Sequence, residues 1–329
     1  MEPHAGGPPL PTLTVVVPVH DAAAVLTRTV PAMMAQDVAA DWRFVDDGSS
    51  DGSGDLIERV LREHPPTAEG ARVRLLRHAR NRGRAAARNT GLAGAEGDVV
   101  AFLDADMEPR TDWLGQHARL YARPEVVGAV SPERWAGLDL TDPYHLYLAR
   151  YPRGASAFGA ARPLPPHLFI VGYTSVRAEA LRHAGGFDEG MPYGEDLDLA
   201  VRLWTAHPRG LWLAAHAVVL QHGAPRLDEA LAKWRRFGAA SVPRLVAKHP
   251  ALAGVLGADL AGGHGLPGLL GAAVLRPEPA RLLRRALPAL PVALRPHAVR
   301  VLVAAALADG LRQSRSRRAA RAVPAFPSA

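Results

Sequence analysis

Two carboxylates, Asp104 and Asp106, close the apolar run Val99-Val100-Ala101-Phe102-Leu103 with one alanine between them. A run of this kind reads as a buried strand. An ionised carboxylate is too costly to bury unpaired, so the pair must meet water, a cation or a ligand. Two hard oxygen donors at this spacing suit a divalent metal carrying a diphosphate; two solvated acids on a strand-ending turn are the plain alternative. Arg84 and Arg88 stand four apart and share one helix face. A guanidinium fork matches phosphate oxygens in a bidentate way, although a solvated basic face would look the same. Gly83, just before them, permits a tight or positive-φ turn. Glu195 and Asp196 open a helical apolar spacing that runs from Leu197 to Trp204. The helix macrodipole alone would favour carboxylates there.

The elements that must position these residues alternate. Strands are expected at 14–19, 42–45, 73–76 and 99–103, and helices at about 23–36, 55–63 and 84–93. Strand alternating with helix is the pattern of a parallel sheet covered by helices. Such sheets bind ligands beyond the carboxyl ends of their strands. Asp21, Asp46, Asp47, Asp104 and Asp106 all fall at those ends, and five acids on one rim are poorly explained as surface decoration.

The chain has 329 residues and no cysteine, so it has neither a disulfide framework nor a thiolate metal site. Residues 1–11 are rich in Gly and Pro, with no charged start and no apolar core; a disordered leader on a cytoplasmic protein is expected. The net charge is +7, yet residues 276–329 alone carry eleven arginines against Glu278 and Asp309, a net +9. The basic character therefore belongs to the tail. A nucleic-acid enzyme should carry it along its groove, so no nucleic-acid partner is expected. The apolar stretches at 252–275 and 299–308 are interrupted or short of the ~18 residues of a spanning helix. Residues 281–294 alternate apolar side chains with arginines. A helix of that kind suits peripheral contact with a membrane, while packing on the domain or on a second subunit is the preferred expectation. Oligomeric state stays open.

The order VVVPVHD, VDDGSSDGS, NRGRAAARNTG, FLDAD, GGFDE and GEDLDLAVRL resembles the family 2 glycosyltransferases of the GT-A fold. The resemblance covers roughly residues 13–250. It implies an α/β nucleotide-sugar-binding fold, a mostly parallel sheet flanked by helices, with a helical C-terminal extension. By resemblance, Pro18, Val19 and Asp21 lie against the nucleotide base, with Asp21 alternatively an N-cap. Asp47 accepts a base N–H, and Gly83, Arg84 and Arg88 serve the nucleotide. Asp106 holds Mn2+ or Mg2+, Asp104 contacts the ribose or the metal, and His222 is a third ligand or diphosphate donor. Asp196 is the catalytic base and Glu195 its orienter. Trp135, Tyr151, Tyr193, Phe187, Trp234 and Arg236 are candidates for the acceptor side, together with the interleaved Arg150, Arg153 and Arg162. The stretch 234–250 also resembles the corresponding part of the glycosyltransferases of mycofactocin clusters.

The resemblance thus implies a metal-dependent inverting transfer from a nucleotide-sugar donor, UDP favoured and dTDP or GDP open. The acceptor would be a small molecule, a glycan, a lipid-linked glycan or a peptide. A nucleotidyltransferase would show a Gly-rich, basic signature after the first strand, where Pro18-Val19-His20-Asp21 stands instead. A silent sugar-nucleotide-binding scaffold would lose one of the acids, and all are present. The expected organisation is a leader (1–11), a catalytic domain (12–250, its nucleotide half ending at 110), a helical extension (251–311) and a basic disordered tail (312–329).

Overall fold

The computed structural model describes residues 9–152, 154–256 and 275–322, with side chains of the last helix described through 315. Among these, the chain gathers into two compact units, one bounded by Met1–Gly137, Pro152–Gly190 and Glu195–Gly223, the other by Leu138–Tyr151, Met191–Gly194 and Ala224–Ala329.

The first unit is built on a seven-stranded sheet. Strands β1 (Leu13–Val19), β2 (Asp41–Asp46), β3 (Arg72–Arg77) and β4 (Val99–Leu103) are the expected ones, a residue or so longer. They run parallel in the order β3-β2-β1-β4. β1, β2 and β4 are buried along almost their whole length, as strands covered on both faces must be. Helices α1 (Ala23–Met34), α2 (Ser53–Glu63) and α3 (Arg84–Leu92) connect them. Arg43 is a charge inside buried β2. It pairs with Asp41 at 2.8 Å and donates to the carbonyls of Gly91, Ala93 and Gly94. It thereby closes the C-terminal end of α3 and holds that helix against the sheet.

Beyond β4 the sheet turns mixed. β8 (Tyr173–Arg177) lies antiparallel to both β4 and β6 (Gly128–Val130), and β9 (Leu211–Leu213) pairs parallel with β6. Helix α4 (Trp113–Leu120) precedes β6, and α6 (Ala178–Ala184) and α7 (Glu195–Ala206) follow β8. A small second sheet has the order β5 (Met107–Pro109), β10 (Val219–Gln221), β7 (Glu133–Trp135). It is antiparallel between β5 and β10 and parallel between β10 and β7.

The second unit is helical. α5 (Pro143–Arg150) starts at Asp142, whose carboxylate accepts the Tyr144 and His145 N–H groups. It is joined by α8 (Leu227–Arg236), a π-turn at Phe237–Ser241, α9 (Val242–Lys248), α10 (Pro277–Ala286) and α11 (Arg295–Ala322). A Cβ at Gly238 or Gly310 would collide with the facing backbone, of Leu307 and Arg235 respectively. The π-turn and α11 therefore cross with their main chains touching. α11 continues past Arg312 to Ala322, where a disordered tail was expected. Residues 312–322 are rich in Arg and Ala and contain no proline, so they extend a helix readily. No helix among the described residues is long and apolar enough to cross a membrane.

Candidate active site

Four parallel strands end on one rim, so Val19, Asp46, Arg77 and Leu103 deliver the residues after them to a common edge. Asp47 follows β2 and is 3% exposed. Its Oδ1 accepts from His78 Nδ1 at 2.7 Å and from the Arg82 N–H at 2.9 Å, and its Oδ2 from the Gly83 N–H at 2.8 Å. A carboxylate offers about four lone-pair positions, and three are used within the protein. Asp47, expected to read the base, chiefly ties the loop before α3 to the end of β2. His78, after β3, carries the tie onward through Nε2 to Thr90 Oγ1 at 2.9 Å. Gly48 makes the approach possible. It has φ +68°, and a Cβ there would meet the Arg80 backbone at 2.5 Å. Gly83 adopts φ +94° as its N–H turns to Asp47.

Asp21 does not cap α1. Its Oδ1 accepts from Ser50 N–H at 2.8 Å, and the first turn of α1 is held instead by Asp51, which accepts the Ala23 N–H at 2.9 Å. Asp21 itself sits at φ +48°, uncommon for a residue with a side chain. Pro18 and Val19 end β1 beside it, Val19 buried and Pro18 partly exposed.

Arg88 differs most from expectation. It is 2% exposed and faces protein carboxylates: Nη1 donates to Glu195 Oε1 at 2.7 Å and Nη2 to Asp104 Oδ1 at 2.8 Å. Burial opposes its charge, but Asp104 and Glu195 outweigh that and push its pKa up. One guanidinium thus links the acid ending β4 to the acid opening α7. Arg84, one turn earlier on α3, is half exposed, its Nε 3.9 Å from the same Glu195 oxygen. Phe187 is a core residue and not an acceptor contact. It is 4% exposed, packs edge-on against Phe102 at 5.1 Å and lies under the Arg88 guanidinium at 5.4 Å. Asn89 pins it by exchanging hydrogen bonds with its N–H and C=O, both 2.9 Å.

Glu195 is buried on Arg88, and Asp196 beside it is partly exposed. Burial first, and then the charge of Glu195, push the Asp196 carboxyl up to about 6; Arg88, the Leu197 N–H and Arg84 pull the other way. A carboxylate poised near neutrality and still partly exposed can accept a proton from a bound hydroxyl. Asp198 faces elsewhere, fully buried on Arg202, which also donates to the carbonyls of Ala184 and Gly186.

Asp106 immediately precedes β5. Its Oδ2 accepts from Gln221 Nε2 at 3.0 Å, and its carbonyl accepts the His222 N–H at 2.9 Å. His222 thus comes beside the acid pair, but its Nε2 is on Glu108 at 2.6 Å. That contact occupies one ring nitrogen, so a cation could be met only through Nδ1. Among the described residues no three His, Asp or Glu side chains form a metal-binding group. Asp104 and Asp106 still fit a hard divalent cation, because Mg2+ and similar ions take one or two carboxylates and complete their shell with phosphate oxygens and water. The Asp104 side chain is 30% exposed, with Oδ1 held by Arg88.

Trp135 ends β7 opposite Gln221 in the ladder, so one acceptor candidate reaches the Asp106 side of the site. Arg162 lies over Phe158 at 4.9 Å. Tyr151, Tyr193, Trp234 and Arg236 belong to the second unit. There the Tyr151 hydroxyl meets His297 Nδ1 at 2.8 Å, Arg150 lies over the Tyr151 ring, and Trp234 packs edge-on against Phe237. Arg236 is exposed and Tyr193 half-buried. Arg153 lies outside the described residues. His78, Asn89, Glu108 and Gln221 were not singled out from sequence. His78 could have been, since it follows β3 as Asp47 follows β2; an isolated Gln carries no such signal.

The family model described as Glycosyl transferase family 2 matches residues 14–185. The "Pre-mycofactocin glycosyltransferase" of Mycobacterium tuberculosis is 33% identical over 255 residues, 74% of this chain and 49% of the relative. The chain therefore spans about half the length of that curated relative. Among solved structures, S. aureus TarS 1-349 in complex with UDP superposes with TM-score 0.54 at 16% identity, covering 95% of this chain and 93% of that one. A mannosyltransferase from Pyrobaculum calidifontis in complex with GDP-Man and Mn2+ gives 0.53 at 22% identity, covering 94% and 90%. These structures share the fold, the GT-A arrangement of a mainly parallel sheet flanked by helices. The chain belongs to glycosyl transferase family 2.

Proposed function

We propose that the chain is a metal-dependent, inverting glycosyltransferase that moves a sugar from a nucleotide diphosphate donor, UDP favoured, to a hydroxyl or amine acceptor, with Asp196 as general base. The observation that carries this reading is the Arg88 link. It couples the acid pair at the end of β4, suited to a diphosphate-bound cation, to the raised carboxyl at the start of α7.

In this reading Asp104 and Asp106 hold the cation, which supplies positive charge against the departing diphosphate. Arg84, half exposed on the Arg88 face of α3, takes the phosphate role that burial denies Arg88. Asp196 accepts the acceptor proton as the acceptor oxygen or nitrogen bonds to the anomeric carbon and the bond to the diphosphate oxygen breaks. Glu195 raises the proton affinity of Asp196 and Arg88 lowers it. The family relatives and the nucleotide complexes of fold neighbours support the reading. Calorimetric titration with UDP, dTDP and GDP, each with and without Mn2+, tests the donor side. One nucleotide should bind in a metal-dependent way, and Asp106→Asn should abolish that dependence. Unchanged affinity in the variant would remove the metal assignment.

A further inference from the structure

The second unit carries a surface of a kind the first lacks. α10 is amphipathic: Arg281, Arg284 and Arg285 fall on one side, Leu282 and Ala286 on another. None of its residues is buried. The chain then runs ALPALPVAL over 286–294, nine residues without a polar side chain. Leu287 alone in this run is buried. Leu282 is 65%, Val292 57% and Leu294 51% exposed. Two 3-10 turns, Leu287–Ala289 and Val292–Leu294, shape the stretch. Arg295 fastens it from below by donating to the carbonyls of Pro288 at 2.9 Å and Leu290 at 3.1 Å. Its aliphatic side chains are therefore held outward, which soluble surfaces rarely do over a contiguous stretch unless it binds something.

Charge identifies the occupant. Arg276, Arg281 and Arg285 before the stretch and Arg300 after it are exposed. By sequence the second unit carries 18 basic against 7 acidic side chains, +11, whereas the first carries 21 against 25, −4. A second copy of the same face would bring like charges together. An acidic protein would satisfy the arginines, but the apolar run offers it no side-chain donor or acceptor. Nucleic acid would leave the exposed aliphatics in water.

We propose that α10 and the 286–294 stretch dock the chain on an anionic lipid surface. Leu282, Val292 and Leu294 enter the boundary between headgroups and acyl chains, and the neighbouring arginines meet lipid phosphates. The proposal does not depend on the donor or acceptor.

The test is flotation of the full chain with vesicles of phosphatidylglycerol and phosphatidylcholine in equal parts, and with phosphatidylcholine alone. Binding is expected only to the anionic vesicles, and it should weaken as salt is added. Leu282→Ser combined with Val292→Ser should cut it at least about tenfold, and Arg281→Ser or Arg285→Ser about fivefold each. All four side chains are exposed, so thermal melting should not change. Absence of binding to anionic vesicles overturns the proposal. So does binding that the double aliphatic variant leaves intact, because charge alone would then explain it. Sedimentation velocity closes the remaining route: a dimer that the double variant dissolves would make this face a contact between copies, and the proposal would fall.

Discussion

In the first unit the decisive charged side chains point inward at one another; in the second they face solvent. Arg88 lies between Asp104 and Glu195, and Arg43 beside Asp41, each arginine below a twentieth exposed. The comparable contact of the second unit, Arg284 to Asp228 at 2.6 Å, leaves both side chains more than half exposed. A buried ion pair fixes geometry, because any rearrangement strands an unpaired charge in a poor dielectric. An exposed pair fixes little, because water replaces either partner. The first unit therefore holds two acids at a set separation, and the second keeps its arginines available.

The comparison breaks most visibly at Arg88. Arg88→Ala leaves Glu195 buried without its guanidinium and should cost about 3–5 kcal/mol, read as a fall in the denaturant midpoint. Arg88→Gln keeps much of the side-chain length but removes the charge. It should move the acid limb of the rate profile to higher pH, since Arg88 is one of the groups lowering the Asp196 pKa. An unshifted limb would make Arg88 purely structural.

Asp196→Asn sharpens the contrast, because it should cut transfer roughly a hundred- to ten-thousand-fold while making the fold more stable. Burial and the charge of Glu195 raise the Asp196 carboxyl from the ordinary 3.8 to about 6 in the fold. Between those values the folded state binds more protons, so the wild type loses stability as pH rises through that window. Above about 6 the asparagine variant should be the more stable, in thermal melts compared on either side of the window. A variant of equal or lower stability would mean that Asp196 is not strained by its setting.

In the second unit the sensitive positions are packed glycines. Gly310→Val pushes a side chain into the Arg235 carbonyl and should cost about 1–3 kcal/mol. Arg284→Ala should change stability by less than about 1 kcal/mol. If Arg284→Ala cost as much as Arg88→Ala, the inward and outward distinction would fail.

The parallel half of the sheet was legible because strands buried on both faces read as apolar runs. β6, β8 and β9 were not placed, being three to five residues long and without flanking acids or a helix-strand rhythm to mark them. The site was legible as a set of positions but not as a set of partners. Residue type and spacing put Arg88 on the correct helix, yet whether it meets phosphate or protein depends on Glu195, 107 residues away in sequence. Asp47 and His222 show the same limit, since His78 and Glu108 decide what they face. The course of α11 past Arg312 was obscured for another reason: an Arg- and Ala-rich segment reads as a charged tail and as a good helix alike.

The most direct test compares wild type and Asp196→Asn over a panel of UDP-, dTDP- and GDP-sugars with Mn2+, measuring donor binding and nucleoside diphosphate release on the same samples. The account predicts matching donor affinity for the two proteins, with release in the wild type that falls below about pH 6 and is lost in the variant. Release that survives in the variant at the wild-type rate would contradict Asp196 as the base.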